Sequence, residues 1–171
     1  MIPLTVEIIT EGDVALTVRQ QRRVTTAVHK AVGERWRDRF LRLHFLPQAR
    51  GRYSYQRRSQ ATLKKKLRLA AIGKVQDGGT TDLVWSGRLK AAMMGWHRVS
   101  ASPSRSTVHM IGPNYLSINY KPGRPHLANE ILAVIASEER ELQETADKTM
   151  GKETAAAAQE TRRRQTRGSQ G

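Results

Sequence analysis

The chain has 171 residues, no cysteine, 30 Lys and Arg against 15 Asp and Glu, and a formal net charge of +15. That length suits one ordinary domain or a small domain with extensions. The lack of cysteine excludes a disulfide scaffold, a thiolate metal site and a cysteine nucleophile, and an apolar share of 38% with 5% aromatics makes for a thin core.

Leu4 to Thr10 is β-branched and ends at Glu11-Gly12-Asp13, which predicts a strand followed by a turn. A long helix is expected from about Val18 to Leu46. Val24, Val28, Val32, Trp36 and Phe40 recur at every fourth position, and Arg22, Arg23, Lys30, Arg37 and Arg42 fall mostly off that stripe. Pro47 ends it, because proline lacks an amide hydrogen and restricts the residue before it. Gln48 to Tyr55 reads as a loop. A second helix is expected from Arg57 to Ile72, with Leu63, Leu67 and Ala70 or Ala71 on its apolar stripe and Lys64-Lys65-Lys66 beside it. Gly73 and Asp77-Gly78-Gly79 mark the break that follows.

Ser86 is a candidate cap for a short helix over Gly87–Met94, a stretch that reads equally well as a strand. Trp96 to Ser102 and Ser106 to Ile111 read as a hairpin turning at Pro103-Ser104-Arg105, and Tyr115 to Tyr120 as a further short strand. A third helix is expected from Pro125, at or near the first helical position, to about Met150. Leu127, Ile131, Leu132, Val134, Ile135, Leu142 and Ala146 lie on its apolar side, and Gly151 is a reasonable stop. The last ten residues have nothing apolar to bury. The expected fold is therefore α+β: a small antiparallel sheet packed by long amphipathic helices. Residues 1–150 form the expected single structural domain, and residues 151–171 a basic, extended or disordered tail.

The charge is unevenly spread. Residues 1–75 hold 17 basic and 5 acidic side chains, residues 76–150 hold 8 and 8, and residues 151–171 hold 5 and 2. Too few acids lie in the first part to pair with its bases, which points to an external anion or acidic partner. The candidate contact residues are Arg19, Arg22, Arg23, Arg52, Arg57, Arg58, Lys64, Lys65 and Lys66, joined by Arg162, Arg163 and Arg164 in the tail. Tyr53 and Tyr55 beside Arg57 and Arg58 suit stacking combined with phosphate contact. Trp85 and Trp96 read more readily as core than as interface anchors.

No metal, cofactor or catalytic centre is expected. His97 and His109 are candidates to oppose each other across the hairpin, but zinc needs further ligands and no Asp or Glu lies in residues 83–129. Nucleophile elbow, phosphate loop and dinucleotide fingerprint are all missing. The carboxylates from Glu138 to Asp147 follow helix periodicity as a solvated side, so no enzyme is expected. No apolar run approaches the roughly 20 residues of a membrane-spanning helix, and Met1 to Val14 lacks the pattern of a signal peptide.

Leu83-Val84-Trp85-Ser86-Gly87-Arg88-Leu89 resembles a signature of small tailed-phage virion-morphogenesis proteins, the neck, head–tail joining and tail-completion family. Arg52-Tyr53-Ser54-Tyr55-Gln56-Arg57-Arg58 is similar to that family's aromatic and basic loop. Gly123-Arg124-Pro125-His126-Leu127-Ala128 is similar to the turn that opens its final helix. Ser86, Gly87, Leu89, Arg124 and Pro125 are the structural positions the resemblance marks. Tyr115 to Tyr120, and the basic tail, depart from the family pattern. The resemblance implies a non-catalytic subunit that closes into a homo-oligomeric ring, a hexamer, at the neck or tail terminus of the virion. It would be assembled in the host cytoplasm, with connector, adaptor or tail-tube proteins as neighbours and transient contact with genomic DNA. The alternative is a basic DNA-binding protein, whose affinity would fall steeply with salt. Acidic neighbours in an assembly are the first expectation from the charge, and genome contact the second.

Overall fold

A computed structural model describes residues 2–4, 16–79, 81, 83–84, 86–95, 97–110 and 127–168. Helix α1 (Val18–Arg35) begins at Thr17, which closes a capping box. The Thr17 hydroxyl accepts from the Gln20 amide at 3.3 Å, and the Gln20 side chain accepts from the Thr17 amide at 3.0 Å. Its apolar spacing of four drifts by about 40° per step on an α-helix. The chain accommodates the drift by opening into a π-helical stretch, Trp36–Phe40, and then tightening into a 3₁₀ stretch, Leu41–Phe45. Val24, Val28, Val32, Trp36 and Phe40 are all buried. Leu46 is extended, as the residue before Pro47 must be.

Gln48 to Tyr55 is not simply a loop, because Ala49–Tyr53 forms a short helix, α2. It ends at Ser54, a non-glycine residue held in the left-handed region at φ 52°. Helix α3 (Gln60–Ala71) starts at Ser59, whose hydroxyl accepts from the Thr62 amide at 3.2 Å. It ends at Gly73, where the Gly73 amide donates to the Ala70 carbonyl and the Lys74 amide to the Leu69 carbonyl. A 3₁₀ turn (Gln76–Gly79) follows, then helix α4 (Arg88–Met94). The residue capping α4 is Gly87 rather than Ser86. Gly87 has φ 76°, and no side-chain cap bond is present.

Strands β1 (Ile2–Leu4), β2 (His97–Ser102) and β3 (Arg105–Met110) pair antiparallel in the order β1–β3–β2. The described part of the first strand thus lies earlier than Leu4 to Thr10, of which residues 5–10 fall outside the described residues. The register places His97 opposite Met110 and Arg98 opposite His109. Opposed residues share a face and neighbours alternate, so His97 and His109 point to opposite faces and do not oppose each other. The His109 Nε2 instead lies 2.7 Å from the Ser100 hydroxyl. Gly33 lets α1 sit tightly on the sheet: a Cβ there would overlap the Ser106 hydroxyl and lie 2.9 Å from Val99 Cγ1.

The expected third helix is divided. Helix α5 (Leu127–Ile131) stops, and helix α6 (Ala136–Gly168) restarts after Leu132–Ile135. Gly151 does not end α6, and residues 151–168 are helical rather than an extended tail. Alanine has the best helix propensity, and Ala155–Ala158 carry the helix along α1. There the Gln20 side chain donates to the Ala157 carbonyl at 3.1 Å and to the Thr161 hydroxyl at 2.9 Å. Helices α1 and α6 run antiparallel, as Gln20 meets Thr161 and Arg35 meets Glu141. The sheet lies against α1, and Leu142, Ala146 and Ile131 close the same core. The fold is α+β, as expected.

Candidate interaction surfaces

The aromatic and basic loop, expected to face a partner, is partly turned inward. Glu138 is 1% exposed. Its Oε1 accepts from Arg52 Nε at 3.0 Å, from Arg52 NH2 at 2.9 Å and from the Tyr53 hydroxyl at 2.7 Å. Glu130 holds Arg58 with both oxygens, one of them at 3.0 Å. The Tyr53 ring stacks on His44 with centroids 3.9 Å apart, and His44 Nδ1 lies 2.6 Å from the Tyr55 hydroxyl. Burial pushes His44 down to about 4. Burial, with the hydrogen bond to Glu138, pushes Tyr53 up. These groups clasp α2 and its following loop onto α5 and α6.

Beside the clasp a cleft of about 300 Å³ opens between Tyr53, Tyr55, Asn129 and Glu130. Arg58 already holds its carboxylate, and Glu138 and His44 hold its tyrosine hydroxyls. Among the described residues, the cleft therefore presents no unengaged acid or base.

The same pattern continues along α1. Arg35 and Arg39 pair with Glu141, the latter at 2.9 Å, and Arg23 with Glu160 at 3.2 Å. Acids of α5 and α6 thus answer bases of the first 75 residues. Counting acids within that segment alone misses the pairing, because the partners are more than 70 residues apart in sequence.

Among the described residues, two clusters of the expected contact bases lie on the surface. At one end of the α1–α6 pair, Arg19, Arg22 and Arg23 lie exposed beside Arg162 and Arg163. The Gln20–Thr161 contact fixes that juxtaposition of residues that the sequence separates widely. Arg164 continues α6. The second surface is α3, where Lys64, Lys65 and Arg68 are exposed. Lys66 is not part of it. It is 4% exposed and donates to the Thr81 carbonyl. Leu67, expected on the buried stripe, is instead 58% exposed, and Ile72 at the helix end is 61% exposed. Arg57 is exposed at the approach to α3.

Gly87 and Leu89 of the phage-like signature are buried, Ser86 is exposed, and the Gln76 side chain lies against Gly87 so closely that a Cβ there would overlap it. The signature therefore fixes the 3₁₀ turn against the start of α4. Trp85, Trp96, Arg124, Pro125 and Tyr115 to Tyr120 lie outside the described residues. Among the described residues, no group of three or more His, Asp or Glu could hold a metal ion, and no helix is long and apolar enough to cross a membrane. No family model, curated protein or solved structure matches the chain.

Proposed function

We propose that the chain is a non-catalytic structural subunit of a tailed-phage virion, closing into a ring at the head–tail neck or tail-completion position and joining the tail to the capsid connector. The observation that carries this reading is the inverted face of α3. A helix that buries Lys66 and turns Leu67 and Ile72 outward is suited to a neighbour that covers them. The order of elements supports it as well: an aromatic and basic loop, the Ser86-Gly87-Arg88-Leu89 turn, short antiparallel strands and a long final helix. Rings follow from head-to-tail contacts that close under rotation, and acidic connector or tail-tube proteins would complement the remaining bases.

Electron microscopy of the purified protein, with light scattering for mass, tests this reading. Rings, or added density at the neck or tail terminus of virions, are expected. A stable monomer absent from virions refutes it. The exposed arginines at the α1–α6 end favour a second reading, a DNA-binding protein. Binding of a short duplex that persists at physiological salt, without any ring, would select that reading.

A further inference from the structure

The ring reading leaves open which surfaces meet, and two faces of the chain complement each other. The outward side of α3 carries Arg68 and, four residues on, Ile72. The outward side of α6 carries Asp147 and, four residues on, Gly151. Both steps span about 6 Å of helix. Gly151 is exposed and has nothing within 4 Å of where a Cβ would stand. It interrupts an otherwise strong helical sequence, where glycine is a poorer helix former than alanine. Among the described residues, no contact accounts for a glycine there.

We propose that α3 of one subunit docks parallel on the outward side of α6 of the next copy. Arg68 then faces Asp147, and Ile72 enters the gap over Gly151. The proposal rests on the ring reading and names its contact. Charge supports a second copy as the occupant. Residues 39–76 contain no acid, and the chain already pairs its basic half with α5 and α6 internally. Glu144 and Asp147 are exposed on α6 three residues apart, as Lys65 and Arg68 are on α3, with Arg140, Lys148 and Lys152 exposed on the same helix as the two acids. Among the described residues neither acid makes an ion pair, and Asp147 accepts from the Gln143 side chain at 2.9 Å. The contact is heterologous, since α3 and α6 are different surfaces, and it is the kind that closes a ring.

Light scattering and native mass spectrometry across a dilution series test the contact. Arg68→Glu and Asp147→Arg should each weaken assembly about tenfold, and the double variant should recover most of that loss. Gly151→Leu should weaken assembly by a similar factor while raising the melting temperature of the dissociated subunit. That opposite pair of signs separates a blocked contact from a damaged fold. Wild-type rings that all three variants leave intact overturn the docking geometry and spare the ring reading. A wild-type protein that never assembles overturns the ring reading itself. Cross-links from a cysteine introduced at Arg68 that reach DNA or a different virion protein, and never α6, overturn the second copy as occupant.

Discussion

Gly33→Ala isolates the close approach of α1 to the sheet. Alanine in place of glycine inside a helix should gain about 1 kcal/mol. Here the added methyl would overlap the Ser106 hydroxyl and stand 2.9 Å from Val99 Cγ1. Ser106 is fully buried on β3, the central strand, which is held on both edges and cannot retreat. Overpacking of this kind costs about 1–3 kcal/mol. Because contacts on both β2 and β3 must give way together, the upper part of that range applies. The net expectation is a loss of about 2 kcal/mol, or a fall of about 4–8 °C in melting temperature for a chain of this size. Urea denaturation measures it directly. Adding Ser106→Ala removes the overlapping oxygen but leaves Val99, so the double variant should recover about half the loss. A Gly33→Ala protein as stable as wild type, or more stable, refutes the packing argument, because helix propensity alone would then account for the result.

Four further outcomes concern the clasp, the α1–α6 ion pairs and the signature turn. Glu138→Gln should cost about 2 kcal/mol in urea denaturation, since a buried carboxylate loses its charge against Arg52 while Arg52 keeps access to water; Arg23→Ala, which breaks an exposed pair, should cost at most about 0.5 kcal/mol. His44 takes up its proton near its ordinary 6.5 when unfolded but only near 4 when folded, so the unfolded state binds the extra proton as pH falls through that window. Stability should therefore drop by about 3 kcal/mol from above pH 6.5 to pH 4, His29 adds in the same direction, and a His44→Gln variant with an unchanged slope of stability against pH between 6.5 and 5 would refute the assignment. Gly87→Ala should lose at least about 1–2 kcal/mol from the left-handed backbone at φ 76°, with Gln76→Ala relieving only the added steric part in a thermal melt.

The parts of the fold visible in the sequence are those that local periodicity determines. The run Val24, Val28, Val32, Trp36, Phe40 marks one long buried stripe, but not the change to π-helical and 3₁₀ geometry after Arg35. The hairpin follows from two short strand-like segments on either side of the Pro103-Ser104-Arg105 turn. What failed to show was non-local. Whether α3 buries Leu67 or Lys66 depends on what the segment after it offers, and the Thr81 carbonyl captures the ammonium group. Gly151 carries a stop signal, yet contacts between α1 and α6 override it at Ala157 and Thr161. Ser86 has the right chemistry for a cap, but the helix starts at Arg88 with Gly87 in the capping position, and glycine has no side chain to make the bond. Of the candidate contact residues, Lys66 is buried, Arg58 is largely covered and Arg52 is exposed but engaged within the subunit, because their partners Thr81, Glu130 and Glu138 come later in the chain.

Internal pairing changes what the net charge implies. Glu130, Glu138, Glu141 and Glu160 are held by Arg58, Arg52, Arg35 with Arg39, and Arg23 respectively. The excess of +15 is untouched by this, but its location is not. The flank of α1 that faces α6, and the loop after α2, are neutralised on the side where the subunit closes on itself. The unanswered bases then concentrate on α3 and at the Arg19–Arg163 end of the α1–α6 pair. These surfaces differ in kind. On α3 the charge is interleaved with exposed Leu67 and Ile72, which gives it apolar area to bury and suits a protein surface. The arginine end is dominated by guanidinium groups, which suits repeated phosphate contacts. Raising salt should therefore act unequally. Duplex DNA held by the arginine end should be released with a steep dependence on salt, whereas assembly through α3 should weaken only shallowly, because burial of Ile72 and Leu67 does not depend on ionic screening. A ring that dissolves as steeply with salt as the DNA complex would mean that α3 contributes charge alone, and would remove the reason its leucine and isoleucine face outward.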